Sequence, residues 1–138
     1  MDAKVTWKGK MAFDGTAGSG FNIPLDTRIE YGGDSSGSSP MELVLVGLAG
    51  CTAMDVIDIL RKKRQEVTAF EVHVHGDRTD EHPRVFNHIT VEYVITGRHI
   101  DPVAADRAVE LSTTRYCSVQ GMLSKTAQIE HKVTLIDT

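Results

Sequence analysis

The sequence is poor in cysteine, with only Cys51 and Cys117 among its 138 residues. It also lacks the apolar core and small-residue cleavage site of a signal peptide at its N-terminus, so we expect a cytoplasmic protein. In that compartment thiols are kept reduced, which argues against a stable structural disulfide. We therefore expect two free thiols at rest, and a disulfide between them would be transient.

The charged residues form no long run of either sign, and the formal net charge is −4. This pattern argues against a nucleic-acid-binding protein, which shows a basic stripe, and against a polybasic membrane anchor. The apolar stretch 43–54 is too short to span a bilayer. The glycine-rich segment 32–37 lacks the lysine of a phosphate-binding loop. With no repeat or linker in view, the length predicts a single domain over residues 1–138.

The N-terminal third alternates between apolar and polar residues. Val5 to Phe13 follows the period of a half-buried strand, and the alternation resumes from Phe21 to Leu25. The intervening segment 14–20 is rich in glycine and predicts the turn of a β-hairpin. Segment 32–38 contains glycine and serine and predicts a flexible loop without a core residue.

A strong helix start signal follows this loop. Ser39 is placed to be the N-cap, Pro40 suits the first helical position, and Glu42 completes a capping box. We expect the helix to run to Arg64 or Gln65, with basic residues at its negative end. Its first half is apolar on every side, which predicts that a second subunit covers part of it.

The remainder of the chain predicts two more strands, a helix and a last strand. Segments 70–75 and 88–97 alternate as strands, and the loop between them contains Gly76, Asp77 and Pro83. Asp101 and Pro102 cap a helix that reaches about Cys117, with a short helix over 118–125 and a strand over 128–136 after it. The order β-β-α-β-β-α-β with mostly antiparallel pairs indicates the α+β class.

Two interpretations of the cysteines stay open on the residues alone. Free cysteine is among the most buried residue types, so both thiols could be inert core filler. The alternative is a redox pair: Cys51 has the small neighbours Gly50 and Thr52, which leave room for a substrate. Cys117 is placed where a new helical turn begins, and amide donors there favour a thiolate.

The motif Ser39-Pro40-Met41-Glu42-Leu43, followed by Gly50-Cys51 and by Cys117 at a helix junction, resembles the OsmC/Ohr family. These are the osmotically inducible protein C and organic hydroperoxide resistance proteins. The resemblance covers most of the chain and implies an OsmC-like fold with a long central apolar helix. It also implies an intertwined homodimer with two sites at the subunit interface.

The resemblance also implies roles for the two thiols. Carried onto the matching positions, Cys51 is the nucleophile that attacks a hydroperoxide and Cys117 is the thiol that resolves the product. The expected activity is thiol-dependent reduction of organic hydroperoxides, with inorganic peroxide as a further candidate substrate, in oxidative stress defence. An external dithiol, of the lipoyl type in the family, would restore the thiols, and no metal or organic cofactor is implied.

The chain departs from the family pattern at the groups that activate the nucleophile. The peroxidases place a glutamate directly after the helix-initiating proline, where this chain has Met41. Glu42 is one residue later, a rotation of about 100° along a helix, and its capping-box role is the competing interpretation. The hairpin turn 14–20 contains no arginine, so Arg28 and Arg115 are the candidates for the activating cation.

This departure motivates an alternative function: a non-enzymatic binding protein for a small hydrophobic ligand at the dimer interface. Asp55 and Asp58 are interpreted as partners of Arg61 and Lys62 on the helix face. His131 lies in the apolar phase of the last strand and is expected to be partly buried and hydrogen-bonded. A last group of side chains is interpreted as a solvent-exposed sheet face, with a divalent-metal site as the alternative: Glu71, His73, His75, His88 and Glu92.

Overall fold

The computed structural model describes residues 1–138. Its contacts divide the chain into two compact units, residues 1–44 and residues 45–138, and each is described by itself. The class is α+β, as predicted, with three helices and two three-stranded sheets. The single-domain organisation stays a prediction.

The first unit contains an antiparallel sheet of three strands, β1 (Ala3–Gly9), β2 (Ala12–Ala17) and β3 (Asn22–Leu25). The predicted turn over 14–20 is therefore wrong in its first half, and three strands precede the first helix where two were expected. The chain reverses earlier because Gly9 and Lys10 both have positive φ, 111° and 48°. Gly9 pairs with Ala12, so Lys10 and Met11 are the two residues of the tight hairpin turn. The alternation of apolar and polar residues continues from β1 into β2 because Trp7 pairs with Phe13 across that turn.

The loop 32–38 is organised around a buried carboxylate, contrary to the predicted flexible loop without a core residue. Asp26 is only 4% exposed. Its carboxylate accepts hydrogen bonds from the Ser36 hydroxyl at 2.6 Å and from the amides of Thr27, Asp34 and Ser36. Led by the Ser36 hydroxyl, these donors lower the pKa of Asp26 to about 2. Gly33 approaches the Thr27 carbonyl too closely to leave room for a Cβ atom.

Helix α1 (Pro40–Lys62) begins and ends close to the predicted residues. The Ser39 amide donates to the Glu42 carboxylate at 2.9 Å, and the Glu42 amide donates to the Ser39 hydroxyl at 3.3 Å, which confirms the capping box. By length and composition alone α1 could also cross a membrane, a test that the core helix of a soluble protein passes as well. One stripe of the helix is fully buried: Leu48, Thr52, Val56 and Leu60.

The second sheet contains β4 (Glu66–Arg78), β5 (Phe86–Arg98) and β6 (Gln128–Asp137). β4 and β5 are antiparallel, and β6 runs parallel to β5. Both β4 and β5 are longer than predicted: Gly76 and Asp77 lie in β4, where the Phe86 ring packs against Gly76. Alternate residues of β5 form the core of this unit: Ile89, Val91, Tyr93 and Ile95.

The helix predicted from Pro102 to Cys117 consists of two parts. Helix α2 (Pro102–Leu111) is capped by the Asp101 side chain, which accepts from the Val103 amide. A π-helical turn over Ser112–Tyr116 follows, and the Cys117 amide donates to the Ser112 carbonyl at 2.8 Å. Helix α3 (Ser118–Leu123) then begins with Cys117 as its N-cap. Such wide turns are frequent at functional sites.

Candidate active site

The structure brings the two cysteines together. Cys51 lies on α1 and is half-buried, and Cys117 lies at the start of α3 and is 5% exposed. Their sulfur atoms and a carboxylate oxygen of Asp55 all lie within 4.8 Å of one another. Cys51 and Asp55 share one face of α1 because they are four residues apart. Two thiols and one carboxylate therefore occupy one small volume of the second unit.

The environment of Cys117 keeps its thiol protonated at neutral pH. Burial is the main cause that raises the pKa of Cys117, to about 11, and the neighbouring Cys51 and Asp55 raise it further. The Gln120 amide donates to Sγ at 3.3 Å and acts in the opposite direction. The amide donor at the helix start thus lowers the pKa of Cys117, as expected, but burial raises this pKa by more.

Asp55 does not pair with Arg61 or Lys62, contrary to the helix-face prediction. Lys62 binds Asp58 at 2.6 Å, which confirms that half of the prediction. The Asp55 Oδ2 atom accepts a hydrogen bond from the Ser112 hydroxyl at 2.9 Å. The prediction is wrong for Asp55 because only Asp58 lies three and four residues before Arg61 and Lys62, whereas Asp55 is a further turn away. Ser112 of the π-helical turn supplies an uncharged donor to Asp55, which the helix sequence alone does not show.

A chain of buried hydroxyl groups extends from Ser112 through the core. The Ser112 and Thr52 hydroxyls are 2.8 Å apart, and Thr52 lies 2.8 Å from the Tyr93 hydroxyl. Tyr93 in turn lies 3.1 Å from Nδ1 of His131. The three hydroxyl-bearing residues are almost fully buried and His131 is partly buried, as predicted for the histidine. Burial lowers the pKa of His131 and raises the pKa of Tyr93 to about 12.

The sequence alone does not predict this hydroxyl chain. One signal was available: Thr52 and Asp55 are polar residues three positions apart in a helix that is otherwise apolar there. Ser112 and Tyr93 carried no such signal, because they belong to other elements whose packing against α1 the sequence does not show.

The candidate supporting residues have other partners. Glu42 serves the capping box, and the Ser39 amide and hydroxyl lower the pKa of Glu42, with a smaller contribution from the charge of Arg28. Arg28 precedes a short 3₁₀ helix over Ile29–Tyr31. Arg115 is exposed and lies over the Tyr116 ring, 5.6 Å from its centre. No hydrogen bond or ion pair links a basic side chain to Cys51, Asp55 or Cys117. A supporting role for Glu42, Arg28 or Arg115 stays a prediction.

The histidines of β4 bind neighbouring carboxylates on an exposed face. His73 lies 2.8 Å from Glu71 and His75 lies 2.9 Å from Asp77, which supports the solvent-face interpretation. An open groove of about 740 Å³ lies there, and its lining combines charged side chains such as Glu92 with the apolar Val74 and Val91.

A donor set for a divalent cation exists only at the thiols. Cys51, Asp55 and Cys117 would offer three donors, one fewer than the four of a structural zinc site.

Comparison with known proteins identifies the family of this chain. The family model described as OsmC-like protein matches residues 32–132. The chain belongs to the OsmC-like family. Protein YhfA of Escherichia coli is 41% identical over 136 residues, which cover 99% of this chain and 98% of YhfA. The resemblance inferred from the cysteine motifs is thereby confirmed.

Solved structures of the OsmC-like family share the fold. The OsmC-like protein of Mycoplasma pneumoniae superposes with a TM-score of 0.83 at 18% identity, covering 98% of this chain and 96% of that chain. The organic hydroperoxide resistance protein OsmC of Legionella pneumophila gives a TM-score of 0.71 at 16% identity, covering 96% and 95%. At such identities the likeness concerns the fold alone.

Proposed function

We propose that this OsmC-like protein is a thiol-dependent peroxidase that reduces organic hydroperoxides through Cys51 and Cys117. One observation carries the proposal: two cysteines distant in sequence have sulfur atoms within 4.8 Å in a protein with no other cysteine. A sulfenic acid on one sulfur would meet the second thiol after a small movement, since a disulfide needs about 2.05 Å.

The surroundings of the two thiols suggest which one reacts first. Cys51 is the more accessible thiol, and Cys117 is nearly buried with a raised pKa. Peroxide attack requires an accessible thiolate, which favours Cys51 as the nucleophile. Cys117 needs to reach only Cys51, so burial does not prevent it from resolving the product.

The proposed reaction has three steps. The Cys51 thiolate attacks the O–O bond, which breaks; Cys51 becomes a sulfenic acid and the peroxide leaves as an alcohol after taking one proton. The Cys117 thiol then attacks Cys51, and a disulfide and water form. An external dithiol reduces this disulfide by thiol–disulfide exchange and is itself oxidised. The cycle needs no metal or organic cofactor.

The substrate class and the location belong to the same proposal. The Legionella pneumophila neighbour is named an organic hydroperoxide resistance protein, and we extend that substrate class to this chain. Inorganic peroxide is a second substrate to test. We propose a cytoplasmic location, where reductants keep such thiols ready for each cycle, and a role in oxidative stress defence.

We further propose that the protein is a homodimer. In one chain, Trp7 of β1 is 65% exposed and Phe21 is 77% exposed. On α1, Val46 is 62% and Met54 is 74% exposed, and only 22% of the most apolar window of this helix is buried. Apolar area on this scale favours cover by another protein surface, and a second copy is always available. Light scattering should give twice the mass of one chain, and a monomer at micromolar concentration would contradict this proposal.

Thiol counting tests the activity directly. Reduced protein is mixed with a modest excess of cumene hydroperoxide in the presence of a chelator, and free thiols are counted with time. We expect both thiols to disappear and to return on addition of a dithiol. Cys51→Ser should abolish peroxide consumption, whereas Cys117→Ser should accumulate sulfenic acid at Cys51. An unchanged thiol count in the wild-type protein would refute the peroxidase function.

A further inference from the structure

Asp55 is the acidic side chain beside both sulfur atoms. We propose that Asp55 is the proton-transfer residue for closure of the Cys51–Cys117 disulfide, held in place by the hydroxyl chain that ends at His131. The inference deepens the proposed function, because it names the group that moves the proton in the second step.

Closure requires a proton acceptor next to Cys117. Its thiol is nearly buried, and burial raises its pKa to about 11, so few molecules carry the thiolate at neutral pH. No lysine, arginine or histidine forms a hydrogen bond or ion pair with either thiol. The carboxylate of Asp55 lies within 4.8 Å of both sulfur atoms, a separation that a small approach or one water molecule bridges.

The proposed step is balanced in atoms and charge. As Sγ of Cys117 attacks Sγ of the Cys51 sulfenic acid, Asp55 takes the proton of the Cys117 thiol. The S–O bond breaks with its electron pair, and the leaving hydroxide receives that proton from Asp55 and departs as water. The carboxylate is therefore restored at the end of each closure.

The hydroxyl chain leaves one oxygen of Asp55 available for this role. Ser112 donates to Oδ2, and no hydrogen bond reaches Oδ1. Because Ser112 has one proton, it must accept from Thr52, and Thr52 must then accept from Tyr93. Tyr93 has also used its proton, so Nδ1 of His131 must carry a hydrogen and donate to it.

The tautomer of His131 is therefore fixed by a carboxylate four hydrogen bonds away. Nε2 of His131 then carries no hydrogen, and this atom is buried without a hydrogen-bond partner in the chain. Ser112, Thr52, Tyr93 and His131 are positioning residues, since they act on the sulfur atoms only through Asp55. The assignment is testable without any chemistry at the thiols.

The kinetic test uses dithiodipyridine, which needs no peroxide. The reagent forms a mixed disulfide at Cys51 and releases one thiopyridone; Cys117 then attacks Cys51 and releases the second. In Asp55→Asn we expect the second phase to slow about 100-fold, the usual size of a lost general base. Asp58→Asn removes the same charge from the exposed face of α1 and should leave both phases unchanged.

The direction in which Asp55→Asn changes the rate of the second phase distinguishes proton transfer from simple charge repulsion. A carboxylate that only repels a thiolate would slow closure, so its removal would speed the second phase. An unchanged or faster second phase in folded Asp55→Asn would overturn the proposal. Asp55→Glu keeps a carboxylate and should restore closure to within about tenfold of the wild-type rate.

A second measurement covers the case in which Asp55→Asn does not fold. Long-range proton–nitrogen NMR spectra of the wild-type protein report which nitrogen of His131 carries the hydrogen. We expect Nδ1–H, and Nε2–H would contradict the chain of donors. The peroxidase and proton-transfer proposals fail separately: inert thiols toward peroxide would refute only the first, and a second phase independent of Asp55 only the second.

Discussion

Two aspartates, one in each compact unit, show how hydrogen-bond donors decide what a carboxylate does. Asp26 accepts four hydrogen bonds, which lower its pKa to about 2 and tie the loop 32–38 together. Asp55 accepts one hydrogen bond, from Ser112 to Oδ2, which leaves Oδ1 without one, and its carboxylate lies within 4.8 Å of both sulfur atoms. A carboxylate whose two oxygens both accept hydrogen bonds holds the surrounding chain in place. A carboxylate with one oxygen free of hydrogen bonds is available to take a proton.

The largest expected effect concerns the pH dependence of closure. In Asp55→Asn the second thiopyridone phase should depend on the Cys117 thiolate alone and rise about tenfold per pH unit toward pH 10. The wild-type rate should rise less steeply, because Asp55 takes the proton directly. Stopped-flow traces between about pH 7 and 10 test this. Parallel profiles for the two proteins would remove Asp55 from the proton-transfer role.

Replacement of Asp26, whose carboxylate accepts four hydrogen bonds, should loosen the loop 32–38 of the first unit. In Asp26→Asn an amide NH₂ replaces one acceptor oxygen, so at least one of the donors from Thr27, Asp34 and Ser36 is left without a partner. We expect hydrogen exchange of the loop 32–38 to become at least about tenfold faster. Asp34→Asn, which changes only an exposed ion pair with Lys10, is the matched control. Equal exchange in the two variants would show that Asp26 does not organise the loop.

Removal of the single donor to Asp55 should have a moderate effect on stability. Ser112→Ala leaves the buried Thr52 hydroxyl and Asp55 each short of one partner. We expect the free energy of unfolding in urea to fall by about 1–3 kcal/mol. Ser118→Ala changes an exposed serine nearby and should cost much less. A loss as small as that of Ser118→Ala would mean that the hydroxyl chain contributes little to stability.

The smallest effect is the acid response of Asp26. Its pKa is lowered from 3.8 to about 2 in the folded protein. The stabilising contribution is therefore complete above about pH 4 and is lost as the pH falls through about 2. The difference in urea stability between wild type and Asp26→Asn should shrink over this range. A difference that stays constant from about pH 5 to 2 would argue against charge as the source of the stabilisation.

Local features were predictable from the sequence with good accuracy. The capping box at Ser39 and Glu42, the start of α1 and the N-cap at Asp101 follow from neighbouring residues only. The first hairpin turn was misplaced because the positive φ of Lys10 has no clear sequence signal, whereas the glycines of segment 14–20 suggested one. Gly15 instead lies within β2, opposite Val5 and Ile23.

By itself the sequence determined the α+β class, the apolar helix and the identity of both candidate thiols. The tertiary structure decided that Cys51 and Cys117 meet and that Asp55 lies beside them. It also decided that Thr52 and Tyr93 connect Ser112 to His131 by hydrogen bonds. The physical reason is that caps and periodicity act over a few residues. The distances at the site depend instead on how α1, β5, β6 and the turn after α2 pack, and these elements are far apart along the chain.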